Sequence, residues 1–483
     1  MSIVALSVPL LGALLLLISS AELLRAPSPR SPGQGLSTFA LATMFAASPL
    51  LEAVPLGGTV TQAAFLALTL GTAFITALVL ILNRVTVWIS GILFSPALIV
   101  TVFAVVNAIL NPLSNQGALI GRTILIAFWT AVALLVAAAG LAVRQIGLLV
   151  TIQFASACAL TLLVAQPYRD CDSFKCGPLG AIFTGPFPSE NLLAQLAALT
   201  LVFMLVPARR PVRWLAVSTS TLVLLATVSR TSWLAVVAAL CIGIAIRTTK
   251  PTSQKLRVRL GFGFLLSMIA AGFYILLTAQ ASDWSNRGRF WRLALDALDG
   301  NWAFGRGADG WRRMQDTGGL PGLYPHSQYL LLVFWAGFLG LVLWIALMGA
   351  ILVATSKDRD ISAVATPYVA LIATLGVTET FWNPLSLDTR TISLLALLAL
   401  PLCVAREGKS LTRLAPKGVA LMGQQPSPPR LTSRVDIRLM REMPPPGGSI
   451  SKDTPIDLTQ PPAACTLEPI KGRRRGRAAP DTC

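Results

Sequence analysis

The sequence predicts an all-α fold: a polytopic helical membrane bundle of about 12–13 transmembrane helices, with one large extracytoplasmic loop and a disordered C-terminal tail. Three observations predict it. Hydrophobic residues make up 54% of the 483-residue chain and charged residues only 12%, and the mean hydropathy is +0.69. Many apolar stretches approach the roughly 20 residues needed to cross a hydrocarbon core. Lys and Arg gather between these stretches rather than within them.

In chain order the predicted spans are 3–24, 37–54, 62–82, 86–109, 123–143, 146–165, 190–207, 214–229, 231–246, 260–280, 327–353, 361–380 and 390–405. The first has no small-residue cleavage site after it and other spans follow at once, so it reads as a retained helix and not a signal peptide. The spans make one bundle over residues 1–405, including the loop 281–326, and residues 406–483 form a separate tail. Orientation follows from basic residues in short loops. Arg247, Lys250, Lys255, Arg257 and Arg259 crowd one connection with no acid among them, and Arg209, Arg210 and Arg213 crowd another. With the basic tail they face the cytoplasm, which puts loops 166–189 and 281–326 on the outside and Arg230 at the outer edge.

The tail has prolines at 426, 428, 429, 444, 445, 446, 461 and 462 and few large apolar residues, the composition of disorder. Its run Lys471, Arg473, Arg474, Arg475, Arg477 is either a lipid-touching patch or a solvated segment that holds topology. The net charge of +18 lies largely in inner loops and this tail, so it serves orientation and anionic lipid; a chain this apolar is not a nucleic-acid binder. Among the seven cysteines, Cys158, Cys241 and Cys403 fall in or beside spans as packing residues. Cys465 and Cys483 are in the tail. Cys171 and Cys176 share an outer loop, where both a local disulfide and free thiols are open readings. No histidine or second cysteine pair completes a zinc site with them.

The single histidine, His326, is the side chain best suited to exchange protons near neutral pH. It ends the long outer loop where the chain re-enters the membrane. The loop opens Asp283-Trp284-Ser285-Asn286-Arg287-Gly288-Arg289-Phe290-Trp291. A short amphipathic helix is predicted there, with Trp291, Leu295 and Leu298 on one face, Arg292, Asp296 and Asp299 on an adjacent polar face, and Gly300 as its stop. Asp296 and Asp299 fit a solvated face better than a metal pair. Gly305-Arg306-Gly307-Ala308-Asp309-Gly310 permits positive φ and close approach of the backbone to a ligand; a plain turn explains it equally. Arg230, in Ser229-Arg230-Thr231, is either a snorkelling anchor or an anion site near the bilayer surface.

Taken in order, these pieces resemble the O-antigen ligase and O-antigen polymerase superfamily of bacterial membrane glycosyltransferases. The resemblance rests on Ser-Arg at a membrane edge (Arg230), Arg-x-x-x-Trp opening a large outer loop (Arg287 to Trp291), and Gly-x-Gly (Gly305, Gly307). His-x-x-Tyr-Leu (His326, Tyr329, Leu330) and a trailing Gly-x-x-Gly (Gly337, Gly340) close the set. Gly185-Pro186-Phe187-Pro188-Ser189-Glu190-Asn191 is similar to the family's Pro-Asn element, and the likeness covers about residues 160–350. Two positions depart from the family: Ser327 stands where Asn often follows the histidine, and the region around Trp335 is apolar where an acid is frequent.

The resemblance implies a GT-C-like bundle in the bacterial plasma (inner) membrane with its active site facing the extracytoplasmic side. It implies metal-independent, inverting transfer of a glycan from a polyprenyl-diphosphate-linked donor to an acceptor hydroxyl on a glycan or lipid, with no cofactor. His326 is then the catalytic base, Arg230, Arg287 and Arg289 hold the diphosphate, and Gly305, Gly307, Tyr329 and Asn191 belong to the loop and acceptor region. The alternatives are a transporter or flippase of lipid-linked glycans, which needs polar groups through the spans, and a nonenzymatic scaffold acting through the tail.

Overall fold

The structure, a computed structural model, describes residues 3–25, 32–53, 59–83, 91–110, 116–171, 176, 180–205, 210–250, 253–316, 325–383 and 385–414. Most of the predicted tail, with its basic run, Cys465 and Cys483, lies outside the described residues, as does Arg209. Among the described residues there are fifteen α-helices: α1 (Ile3–Leu24), α2 (Pro32–Ala47), α3 (Thr59–Leu82), α4 (Ser95–Leu110), α5 (Gln116–Ala139), α6 (Val143–Leu160), α7 (Glu190–Phe203), α8 (Arg210–Thr227), α9 (Arg230–Thr248), α10 (Gln254–Thr278), α11 (Asp283–Ala297), α12 (Gly310–Asp316), α13 (Gln328–Thr355), α14 (Arg359–Thr378) and α15 (Thr389–Leu414). Each predicted span overlaps one of them, and α11 and α12 belong to the loop. Nine helical segments among the described residues are long and apolar enough to cross a membrane, and α7 and the Thr389–Val404 part of α15 are shorter apolar helices.

The bundle is built around α14. Every residue from Ile361 to Thr378 is buried, because α7, α9, α10, α13 and α15 pack around it. Peripheral helices leave large apolar side chains uncovered, among them Leu17, Phe74, Ile81, Leu234, Ile244 and Leu277. Such a belt is tolerable against lipid and not against water.

The two ends of the bundle carry different chemistry. At one end, Arg257 of α10 donates to the carbonyls of Ser356 (3.1 and 2.7 Å) and Lys250 (3.1 Å), and Arg247 donates to the carbonyl of Leu205. These contacts tie the end of α9 to Leu205, just after α7, and the start of α10 to Lys250 and to Ser356 at the end of α13. The other end carries α11, α12 and a small hairpin in which β1 (Tyr168–Asp170) pairs antiparallel with β2 (Ala181–Phe183), Tyr168 opposite Phe183. A disulfide joins Cys171 to Cys176 beside this hairpin.

Two features differ from the sequence expectation. Helix α11 starts at Asp283, ahead of Trp291, because Asp283 accepts from the Gln280 amide at 2.7 Å and so fixes the entry to the first turn. This puts Arg287 and Arg289 on a helix. The expected faces hold: Trp291 and Leu298 are fully buried, Arg292, Asp296 and Asp299 are exposed, and Gly300 leaves the helix at φ 71°. The predicted span 327–353 is not one continuous helix. α13 breaks at Ala336 and Gly337, the latter at φ 62°, about 12 Å along its axis from Gln328 at 1.5 Å per residue. The amide of Arg306 donates to the freed Phe334 carbonyl at 2.6 Å and the Phe338 amide donates to Trp302 at 2.9 Å. A Cβ on Gly337 would collide with the Ala303 carbonyl oxygen, so only glycine lets the loop approach this closely.

Candidate functional site

His326 is held from both sides. The Trp291 indole of α11 donates to the Pro325 carbonyl at 2.7 Å. After it, the Ser327 hydroxyl donates to Gly376 (3.2 Å) and the Gln328 amide to the Glu379 carbonyl (3.0 Å). The Gln328 side chain adds a two-way bond with the Trp382 backbone at 2.8 and 2.7 Å. Between these anchors His326 has φ 45°, a left-handed conformation that costs a β-carbon residue about 1–3 kcal/mol and persists where its surroundings over-determine it. Phe290 meets the imidazole edge to face, 6.1 Å between ring centres.

Beside it Glu379 ties five helices together. Its carboxylate accepts from Arg287 Nη2 of α11 at 2.6 Å and from the Asn191 amide of α7 at 3.0 Å. Asn191 in turn accepts from Ser229, the residue before α9, at 3.0 Å. Through its own carbonyl Glu379 fixes the start of α13, and it ends α14. Arg287 also donates to the Thr378 carbonyl. Two of the five guanidinium N–H groups are thus engaged, and three are left for a ligand.

A cavity of about 480 Å³ opens next to His326, with Asn191, Gln195, Glu379, Glu52 and Arg390 among its walls. Arg390 lies 3.3 Å from Glu52 and 3.4 Å from Asp388 and donates to the Thr380 carbonyl at 2.8 Å. Burial, with the Arg287 and Arg390 charges, pushes the His326 pKa down to about 4, so the imidazole is neutral at pH 7. Burial raises the carboxyl of Glu379, with Arg287 pulling the other way, and burial also raises Glu52, opposed by Arg390.

Of the residues singled out in the sequence, the structure brings together His326, Asn191 and Arg287. Arg230 opens α9 directly after Ser229, exposed on the loop-bearing end, and Arg289 is exposed on α11. Tyr329 is turned away, buried, with its hydroxyl donating to Ala373 of α14 at 2.5 Å. Gly305 and Gly307 take φ 72° and 78°, and Gly305 uses that freedom against α13, where a Cβ would lie 2.5 Å from the Phe334 carbonyl oxygen. Glu379, Arg390, Glu52 and Gln195 were not singled out. A signal existed: Glu379, Asp388 and Arg390 sit at or between the facing ends of the last two spans, on the side that the basic-loop argument assigns to His326, and Gln195 is one helical turn after Asn191.

Fold and site define a polytopic membrane protein with a polar, partly buried cavity beside a lone histidine at one end of the bundle. A family profile described as O-antigen ligase matches residues 215–345, the segment that carries Arg230, Arg287, Arg289, Gly305, Gly307, His326 and Tyr329. Residues 215–345 are thus similar to the O-antigen ligase family, and the resemblance drawn from the motifs is supported where they lie; Asn191 is outside the match. No curated protein and no solved structure matches the chain.

Proposed function

We propose that the protein transfers a glycan from a polyprenyl-diphosphate carrier to an acceptor hydroxyl at the extracytoplasmic face of the bacterial plasma membrane, as an O-antigen ligase- or polymerase-like glycosyltransferase of envelope polysaccharide assembly. The observation that carries this reading is the neutral, conformationally locked His326, which lines a cavity with Asn191 and Glu379, the carboxylate paired with Arg287.

In the reaction the anomeric carbon–oxygen bond to the diphosphate breaks and a bond to the acceptor oxygen forms on the opposite face, which inverts the centre. The electron pair leaves on the diphosphate, and the acceptor proton passes to His326. The spare N–H groups of Arg287, with Arg230 and Arg289, stabilise the leaving diphosphate. Arg230 adds its charge to the positive end of the α9 dipole, which favours an anion there. A diphosphate on Arg287 also offsets one of the charges that depress His326, so the base strengthens once donor is bound.

A flippase needs polar groups along a path through the spans. The buried charged residues among those described are Glu22, Arg122, Glu190, Arg257, Glu379 and Asp388, and all lie at or near helix ends, which favours transfer at one face. The test follows the sidedness of the lipid-linked donor in cells carrying His326→Ala, with protein level checked by blot and leaflet exposure by an impermeant glycan-modifying enzyme. Donor accumulating on the outer leaflet while product falls is the expected result. Donor trapped on the inner leaflet overturns the transferase reading in favour of a flippase.

A further inference from the structure

The cavity beside His326 does not end at its own walls. A second one, also about 480 Å³, adjoins it, and Gln62, Asn383, Ser386 and Leu387 line both. Its far wall is firmly built: Arg122 of α5 pairs with Asp309 at 2.7 Å, and Asp309 accepts from Asn107 of α4 at 2.9 Å. Arg312 of α12 stands beside them.

The near cavity is walled by neutral polar side chains, Ser189, Asn191, Gln195, Asn383 and Ser386. Sugar hydroxyls donate and accept at once and suit such a lining. Glu52, Glu379 and Asp388 share this cavity with Arg390, so its carboxylates repel a diphosphate, whereas Leu192, Leu331 and Leu387 offer apolar surface for sugar rings. A ligand pocket of ordinary size spans about 300–1,000 Å³, and two cavities of this size end to end hold more than one sugar.

We propose that the paired cavities form one trough for an uncharged acceptor oligosaccharide, its terminal sugar beside His326 and its preceding sugars crossing Gln62 toward Arg312. This rests on the transferase reading and adds to it that the acceptor is recognised as a chain. The acceptor hydroxyl nearest His326 is the nucleophile already described, and the units behind it set affinity.

The experiment uses the full-length protein in nanodiscs and uncharged oligosaccharides of one to six units, cut from the envelope polysaccharide of the source cells and labelled at the reducing end. Fluorescence anisotropy gives Kd for each length. Affinity is expected to rise about tenfold or more from one unit to three, as each added sugar makes further hydrogen bonds. Gln62 is exposed on α3, so Gln62→Trp blocks the junction without entering the core; it is expected to erase the length increment and leave single-sugar binding in place. Gln62→Ala, the milder variant, is expected to shrink the increment, and Gln195→Leu to weaken every length. A flat ladder in the wild type, or an unchanged ladder in Gln62→Trp, overturns the trough. Transfer assayed on the same preparations separates the two readings. A flat ladder with transfer that His326→Ala abolishes removes the trough alone, whereas no transfer beyond the His326→Ala background removes the reading beneath it.

Discussion

Two arginines, one at each end of the bundle, show what distinguishes a joint from a site. Arg257 is 1% exposed, and its guanidinium closes on the main-chain carbonyls of Ser356 and Lys250. Arg287 closes instead on the carboxylate of Glu379 and keeps three N–H groups in hand beside a cavity and a histidine. Both tie sequence-distant elements together. Burial of a guanidinium therefore marks a place where helices are fastened; a carboxylate partner, open volume and a neighbouring histidine are what distinguish the proposed site from a joint.

Substitutions can sharpen or break this contrast. The largest effect is expected at the proposed proton acceptor: His326→Gln should lower the transfer rate about 10²–10⁴-fold, with thermal unfolding in detergent unchanged. Next is Glu379→Leu, which leaves Arg287 with its charge uncompensated. A loss of about 3–5 kcal/mol of stability is expected, read as a lower melting temperature, and transfer is lost with it. Arg257→Met removes three charged hydrogen bonds at the opposite end and should cost at least the contribution of one such bond, about 1.5–3 kcal/mol, while the KM for donor and the turnover of the folded fraction stay as in the wild type. A changed KM in Arg257→Met would collapse the distinction between the two ends.

The pH dependence provides a subtler probe. With His326 held down to about 4, kcat/KM should persist below pH 6 and fall as pH drops through about 4. Because an unfolded histidine titrates near 6.5, the unfolded chain takes up the proton first, and stability declines as pH falls from about 6.5 toward 4. Arg287→Gln removes one of the depressing charges, so its acid limb should shift to higher pH. The smallest effect belongs to exposed Arg289: Arg289→Ala should raise the donor KM about two- to fivefold, and less at high salt.

The helical framework was legible in the sequence because apolar length and loop charge are local quantities. The lone histidine, the arginine-bearing loop, the amphipathic face from Trp291 to Leu298 and the stop at Gly300 could all be read residue by residue. The carboxylate hub could not. Glu379 meets Asn191 across 188 positions and Arg287 across 92, and no periodicity carries such pairings. The break in α13 was hidden for another reason: the stretch around Ala336 and Gly337 is apolar on every side, so a helix and an interrupted helix have the same composition. The trailing Gly337 stood in the motif, yet only the loop stitched against it shows what it is for.

That stitch bears on how the protein can be re-engineered. Residues 302–306 fill the backbone valences that the membrane helix gives up at 334–338, at a depth where unpaired amides and carbonyls are not tolerated. A graft of the 281–326 loop alone from a relative would tear this seam, however well its surface residues were chosen. Chimeras that exchange the two segments as one module are expected to insert and fold, so the natural unit of exchange in this protein crosses the membrane boundary.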